Sequence, residues 1–167
     1  MTHIRTFFEQ FVRCCQETNI LHEYMTAEEM RLAFRGRCPF RVYIPNKPAK
    51  DGIKILALVD ARSFYIYNVE VYPGKQPSGP YRSNSAFSVV ERLIMTISKT
   101  HRNLTVDDWF TSHELMMDLL TEHRLTATGT FHRNKRCIPP AFLKTGKELG
   151  NSIFGFQKNI SVVSYAS

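Results

Sequence analysis

The chain has 167 residues, 43% of them hydrophobic and 22% charged, with a formal net charge of +7. That length suits one domain, or one core with a partial second element, and the composition excludes a disordered or fibrous chain. No apolar run approaches the roughly 18 residues that span a bilayer, and the start, Met1-Thr-His-Ile-Arg, lacks the apolar stretch of a secretion signal.

Residues 4–15 place Ile4, Phe7, Phe8, Phe11, Val12 and Cys15 on one stripe of a helix. Such a stripe needs cover, either from this core or from another domain. Residues 22–28 admit a short strand, weakened by their glutamates. Residues 35–50 read as extended loop, because Pro39, Pro45 and Pro48 deny them helix. Residues 53–59 form a near-continuous apolar run and predict a buried strand. Residues 64–72, rich in aromatic and β-branched side chains, predict the next strand. The short link between them makes a hairpin. Residues 73–80 are loop.

Residues 85–100 predict a helix with Phe87, Val90, Leu93, Ile94 and Ile97 on one face. Ser88 with Glu91 offers a capping box, and Ser85 a competing start. Residues 103–107 form a short strand, and Thr111 with Glu114 caps a second helix carrying Leu115, Met116, Leu119 and Leu120. Residues 125–131 predict another strand, followed by Arg133-Asn-Lys-Arg136, Pro139-Pro140 and an alternating apolar tail. Antiparallel strands first and parallel crossovers later indicate an α/β fold, a mixed sheet flanked by helices. Other α/β folds share such runs.

The charge is segmental. Residues 1–30 carry −3, residues 31–54 carry +6, residues 55–130 carry −1 and residues 131–167 carry +5. Two basic segments around a near-neutral middle suit either a polyanionic partner or a solvated surface. Cys14, Cys15, Cys38 and Cys137 form no CxxC, and the six histidines show no ligand spacing. Neither a disulfide framework nor a zinc ribbon is expected, which points to a reducing, intracellular compartment.

Several blocks then resemble piggyBac-type transposases. They are Phe34-Arg-Gly-Arg-Cys-Pro-Phe-Arg-Val-Tyr-Ile-Pro-Asn-Lys-Pro48 followed by Gly52-Ile-Lys-Ile55, Gly74-Lys-Gln76, Arg102-Asn-Leu-Thr105, Asp107-Asp-Trp-Phe-Thr-Ser112, and Thr128-Gly-Thr-Phe-His-Arg-Asn-Lys-Arg-Cys-Ile-Pro139. They fall in family order along most of the chain. The resemblance implies an RNase-H-like core, a cut-and-paste reaction on DNA at TTAA targets through hairpin ends, three metal-binding carboxylates and magnesium. Two ions about 4 Å apart activate the attacking oxygen and stabilise the leaving one. Nuclear localisation follows, with no membrane role.

Carried over residue by residue, the first aspartate of the family falls on Glu28, six positions before Phe34. The second falls on Asp107, with Asp108 where the family has asparagine. The third belongs to a motif beyond Ser167, so the expected core is incomplete on its C-terminal side. Glu148 reads as a solvated glutamate and not as a replacement. The implied division is a helix at 1–20, a partial core at 21–131 and the basic start of an insertion region at 132–167.

Glu28 and Asp107 are the candidate catalytic and metal-binding pair. Arg35, Arg37, Arg41, Lys47 and Lys50 form one candidate DNA-binding cluster, and Arg133, Lys135 and Arg136 another. Trp109 and Phe110 either stack on a flipped base or belong to the core. The leading expectation is a truncated or degenerate transposase domain that binds DNA and is not autonomously catalytic, with magnesium bound weakly or not at all. The alternatives are a fragment of an active metal-dependent transposase, and an interaction module that forms a homodimer or binds a full-length relative through the 4–15 helix.

Overall fold

A computed structural model describes residues 2–43, 45, 50–74, 83–143 and 149–166. The helix α1 (Thr2–Thr18) leads into β1 (Tyr24–Ala33), β2 (Arg41–Tyr43), β3 (Asp51–Asp60) and β4 (Ile66–Val71). Then come α2 (Ala86–Ile94), which tightens into a 3-10 turn at Met95–Ile97, β5 (Asn103–Val106), α3 (His113–Thr121) and β6 (Thr126–Gly129). A short helix α4 (Pro140–Leu143) and a hairpin of β7 (Ser152–Gln157) and β8 (Ile160–Tyr165) complete the chain.

The sheet is mixed, as its order of elements predicts. β3 lies antiparallel to β1 on one edge, and both β2 and β4 pair with its other edge. β1, β5 and β6 run parallel, joined through crossovers. The strand expected at residues 22–28 is in fact ten residues long and central. Two neighbours satisfy its backbone, which outweighs the poor strand propensity of glutamate. Glu29 is accommodated by the Lys54 ammonium of β3, 2.6 Å away. The loop expected at 35–50 is interrupted by β2, and the β4 and β6 strands are shorter than their sequence patterns.

One face of the sheet makes the core. Met25, Ala27, Leu56, Leu58, Leu104 and Val106 pack under Val90, Leu93 and Ile94 of α2 and Leu115 and Leu119 of α3. Burying each such leucine contributes about 2 kcal/mol. Ser85 caps α2 by accepting from Ser88 N, so the Ser85 start prevails over the Ser88 box. Arg92 fixes α2 to β4 through two hydrogen bonds to Glu70, at 2.7 and 2.9 Å. Ser112, not Thr111, caps α3. Thr111 is buried, and its hydroxyl donates to Asp107 O at 2.9 Å.

Asp60 anchors the entry to β1. Its fully buried carboxylate accepts from His22 N at 2.7 Å, Arg62 N at 2.9 Å and Ser63 N at 3.0 Å. Burial favours the protonated acid, but these donors and the His22 ring outweigh it and hold the carboxyl well below its ordinary range. Arg102 completes the clamp by donating to His22 O and Leu21 O.

Candidate active site at the carboxyl edge of the sheet

Because β1, β5 and β6 are parallel, the direction in which each runs brings residues 28, 107 and 130 towards the same side of the molecule. Ala27 pairs with Val106, and Val106 with Gly129. Ala27 and Val106 are core residues. Strand alternation therefore turns the next positions, Glu28 and Asp107, to the opposite face. Asp107 bears on the Glu28 carboxyl. Partial burial raises the Glu28 carboxyl first, and the charge of Asp107 raises it further, against a smaller lowering by the Glu29 backbone. Asp107 is exposed and oriented by its own turn: its Oδ1 accepts from Asp108 N at 2.7 Å, and its carbonyl accepts from Phe110 N and Thr111 N.

Asp108 turns aside from this pair. Its Oδ2 lies 3.0 Å from His132 Nε2, tying the loop after β5 to the segment after β6. Phe110 is a core residue and Trp109 packs against the core. One face of Trp109 carries Lys54 Nζ, 3.9 Å from the ring centroid. The core alternative therefore describes both aromatics.

The basic candidates separate by what they touch. Arg35, Arg37 and Lys50 are exposed. Arg41, read as a DNA contact, also braces its own loop: its guanidinium donates to Arg35 O at 3.2 Å and lies 3.5 Å from Asp51 Oδ1. Lys47 lies outside the described residues, as does Glu148. Arg133 and Arg136 are exposed and Lys135 is half-buried. The first cluster follows β1, which runs on five residues past Glu28, and the second follows β6, whose last residue pairs with Val106 just before Asp107.

Sequence reasoning missed two groups. Arg31 on β1 donates to Val42 O and Lys50 O and so shapes the first basic loop. Glu91, Asp118 and His123 converge with the spacing of metal ligands. No sequence signal announces that group, because α2 and α3 must dock before it exists.

The family profile described as Transposase IS4 matches residues 1–167. Among solved structures, the chain is similar to a piggyBac transposase determined by cryo-electron microscopy as a synaptic complex with hairpin DNA. The identity is 37%, the TM-score 0.89, and the match covers 97% of this chain and 34% of that one. The chain thus spans about a third of the length of the transposase it matches. Fold and comparison together define an RNase-H-like core of the DDE transposase class, whose members typically use a divalent metal. The chain belongs to the Transposase IS4 family and is of its piggyBac type. Among the described residues no helix is long and apolar enough to cross a membrane.

Proposed function

We propose that this chain is a piggyBac-derived transposase domain that binds DNA, in the nucleus, and does not cut it on its own. The observation that carries the reading is the strand register that sets Glu28 near Asp107, whose charge raises the Glu28 carboxyl, while neighbouring Asp108 lies against His132. Two carboxylates can hold one divalent ion, but two-metal strand transfer needs further ligands. Glutamate at position 28 also sets its carboxylate about 1 Å further out than aspartate would, and metal catalysis tolerates little displacement.

The pair does fit a hard cation. Glu28 and Asp107 are oxygen donors whose mutual repulsion a magnesium ion would relieve. Bound there, magnesium would supply Lewis-acid activation of a phosphodiester and its attacking water. The chain's own contribution is to orient Asp107 through Asp108 N and to keep Glu28 half-buried beside it.

DNA binding is supported by the exposed Arg35, Arg37, Lys50, Arg133 and Arg136, and by the DNA in the similar complex. Residues 132–167 are read as the start of the insertion region. A second reading, association with another copy or a longer relative, is favoured by α1. Its C-terminal end docks through Tyr65 Oη on Cys15 O, yet Phe7 remains 76% exposed and Ile4 57%.

The test is fluorescence anisotropy on duplex DNA across a salt series. Sequence-independent binding should weaken linearly in log salt. The double substitution Arg35→Ala, Arg37→Ala should shallow the slope by about two, given roughly 0.9 per phosphate neutralised. An unchanged slope would remove both arginines from the interface, and a strong preference for TTAA duplex would contradict non-specific binding. Nicking of a DNA end with magnesium, lost in Asp107→Ala, would overturn the inert reading.

A further inference from the structure

We propose that Glu91, Asp118 and His123 form a binding site for a divalent transition ion of the zinc class, on the helix-covered side of the sheet and separate from Glu28 and Asp107. Glu91 comes from α2, Asp118 from α3, and His123 from just beyond the end of α3. Each offers one ligand atom, and these atoms lie within 4.8 Å of one another.

The Asp118 carboxylate is the decisive group. Among the described residues, its Oδ2 is shielded from solvent and has no hydrogen-bond partner. Such an atom is costly to leave unsatisfied. The nitrogen facing it is His123 Nε2, 3.4 Å away. That is longer than the 2.7–3.2 Å of an N–H···O hydrogen bond. It is about the separation of two ligands held roughly 2.0–2.1 Å from a tetrahedral zinc ion.

The histidine is also oriented for the task. Its Nδ1 lies 2.9 Å from Ser98 Oγ. With Nδ1–H donated to that hydroxyl, the neutral ring keeps a lone pair on Nε2, aimed at Asp118. Metal-ligating histidines typically have such a partner on their other nitrogen. The backbone holds the ring in place, since His123 N donates to Asp118 O and Lys99 N donates to His123 O.

One imidazole and two carboxylates suit zinc better than magnesium, which takes oxygen ligands almost alone. Three protein ligands leave a fourth position for water. The ion would pin α2 to α3 over the core, a structural role that is independent of any chemistry on DNA.

The experiment titrates zinc chloride into the metal-stripped full chain by calorimetry, with cobalt(II) absorption as a report on geometry. One ion should bind, cobalt should show tetrahedral bands, and the melting temperature should rise with zinc. Glu91→Gln and His123→Asn, the second chosen to keep a polar atom towards Ser98, should each weaken binding at least tenfold while circular dichroism stays unchanged. Cys14→Ser with Cys15→Ser should bind as the parent does. Zinc affinity that is unchanged in both ligand variants, absent from the parent, or lost with the cysteines would overturn the proposal. If His123→Asn fails to fold, the conservative Glu91→Gln decides alone.

Discussion

Lys54 Nζ sits 3.9 Å above the ring of Trp109 while pairing with Glu29 at 2.6 Å, and the lysine is only 8% exposed. A buried ammonium is stable only where its charge is compensated, and here a carboxylate and an aromatic face do so together. Lys54→Met keeps the stem and removes the charge, which strands Glu29 in partial burial. The expected loss is about 2 kcal/mol, below the 3–5 typical of fully buried pairs because Glu29 retains some solvent. Adding Glu29→Gln should restore a large part of it. Urea midpoints of the two single variants and the double variant check this. Strict additivity would mean that the pair is not coupled.

Asp60 should dominate the acid limb of stability. Its folded carboxyl lies below the ordinary value of 3.8, so its contribution is complete above that value and is lost as pH falls through the depressed one. Asp60→Asn replaces one acceptor oxygen with a donor and orphans at least one of its part-buried N–H partners. A loss of about 3 kcal/mol at neutral pH is expected. Its stability curve should also be flatter than the parent's below pH 4. Parallel acid limbs in thermal melts would show that other carboxylates set them.

For Glu28 the sign is opposite. Its folded carboxyl is raised above 4.5, so the folded state holds its proton more tightly than the unfolded chain. Stability therefore rises as pH falls through the raised value towards the ordinary one. Asp107→Asn removes the repelling charge and can still accept from Asp108 N. Because Asp107 is solvent-exposed, the gain at neutral pH should be no more than about 0.5 kcal/mol. Magnesium should raise the melting temperature of the parent and not of Asp107→Asn. A destabilised Asp107→Asn without a magnesium response in either form would make Asp107 a structural acceptor of its turn.

Gly129→Ala should destabilise through crowding. A Cβ at this position would collide with the side chains of Thr111, Met116 and Val106. Overpacking of this kind costs about 2 kcal/mol. Chemical denaturation of the variant measures it, and an unmoved midpoint would show that β6 shifts aside freely.

Much of the architecture was legible in the order of apolar runs. The buried strand β3, its hairpin partner, both crossover helices and β5 follow from periodicity and from capping residues. What was less legible depends on partners remote in sequence. Glu28 and Glu29 argue against a strand until Lys54 and the neighbouring strands are in place. Thr111 looks like a cap, but its hydroxyl is taken by Asp107 O, and Ser112 serves instead. Arg41 reads as a phosphate contact, yet its guanidinium is shared with Arg35 O and Asp51. The placement of Glu28 beside Asp107 came from family motifs, since nothing local in either segment announces the parallel pairing.

The position of β1 between an antiparallel and a parallel neighbour also orders how the molecule assembles. β1, β3 and β4 are near one another in the chain, so they can associate by closing short loops. Pairing β1 with β5 brings Tyr24 to Asn103 across most of the domain. Contacts between such distant segments slow folding. On a ribosome the antiparallel half emerges first, and β1 waits with one edge unpaired until β5 arrives. Refolding should therefore show an early hairpin-rich phase, with amides of β3 and β4 protected before those of β5 and β6.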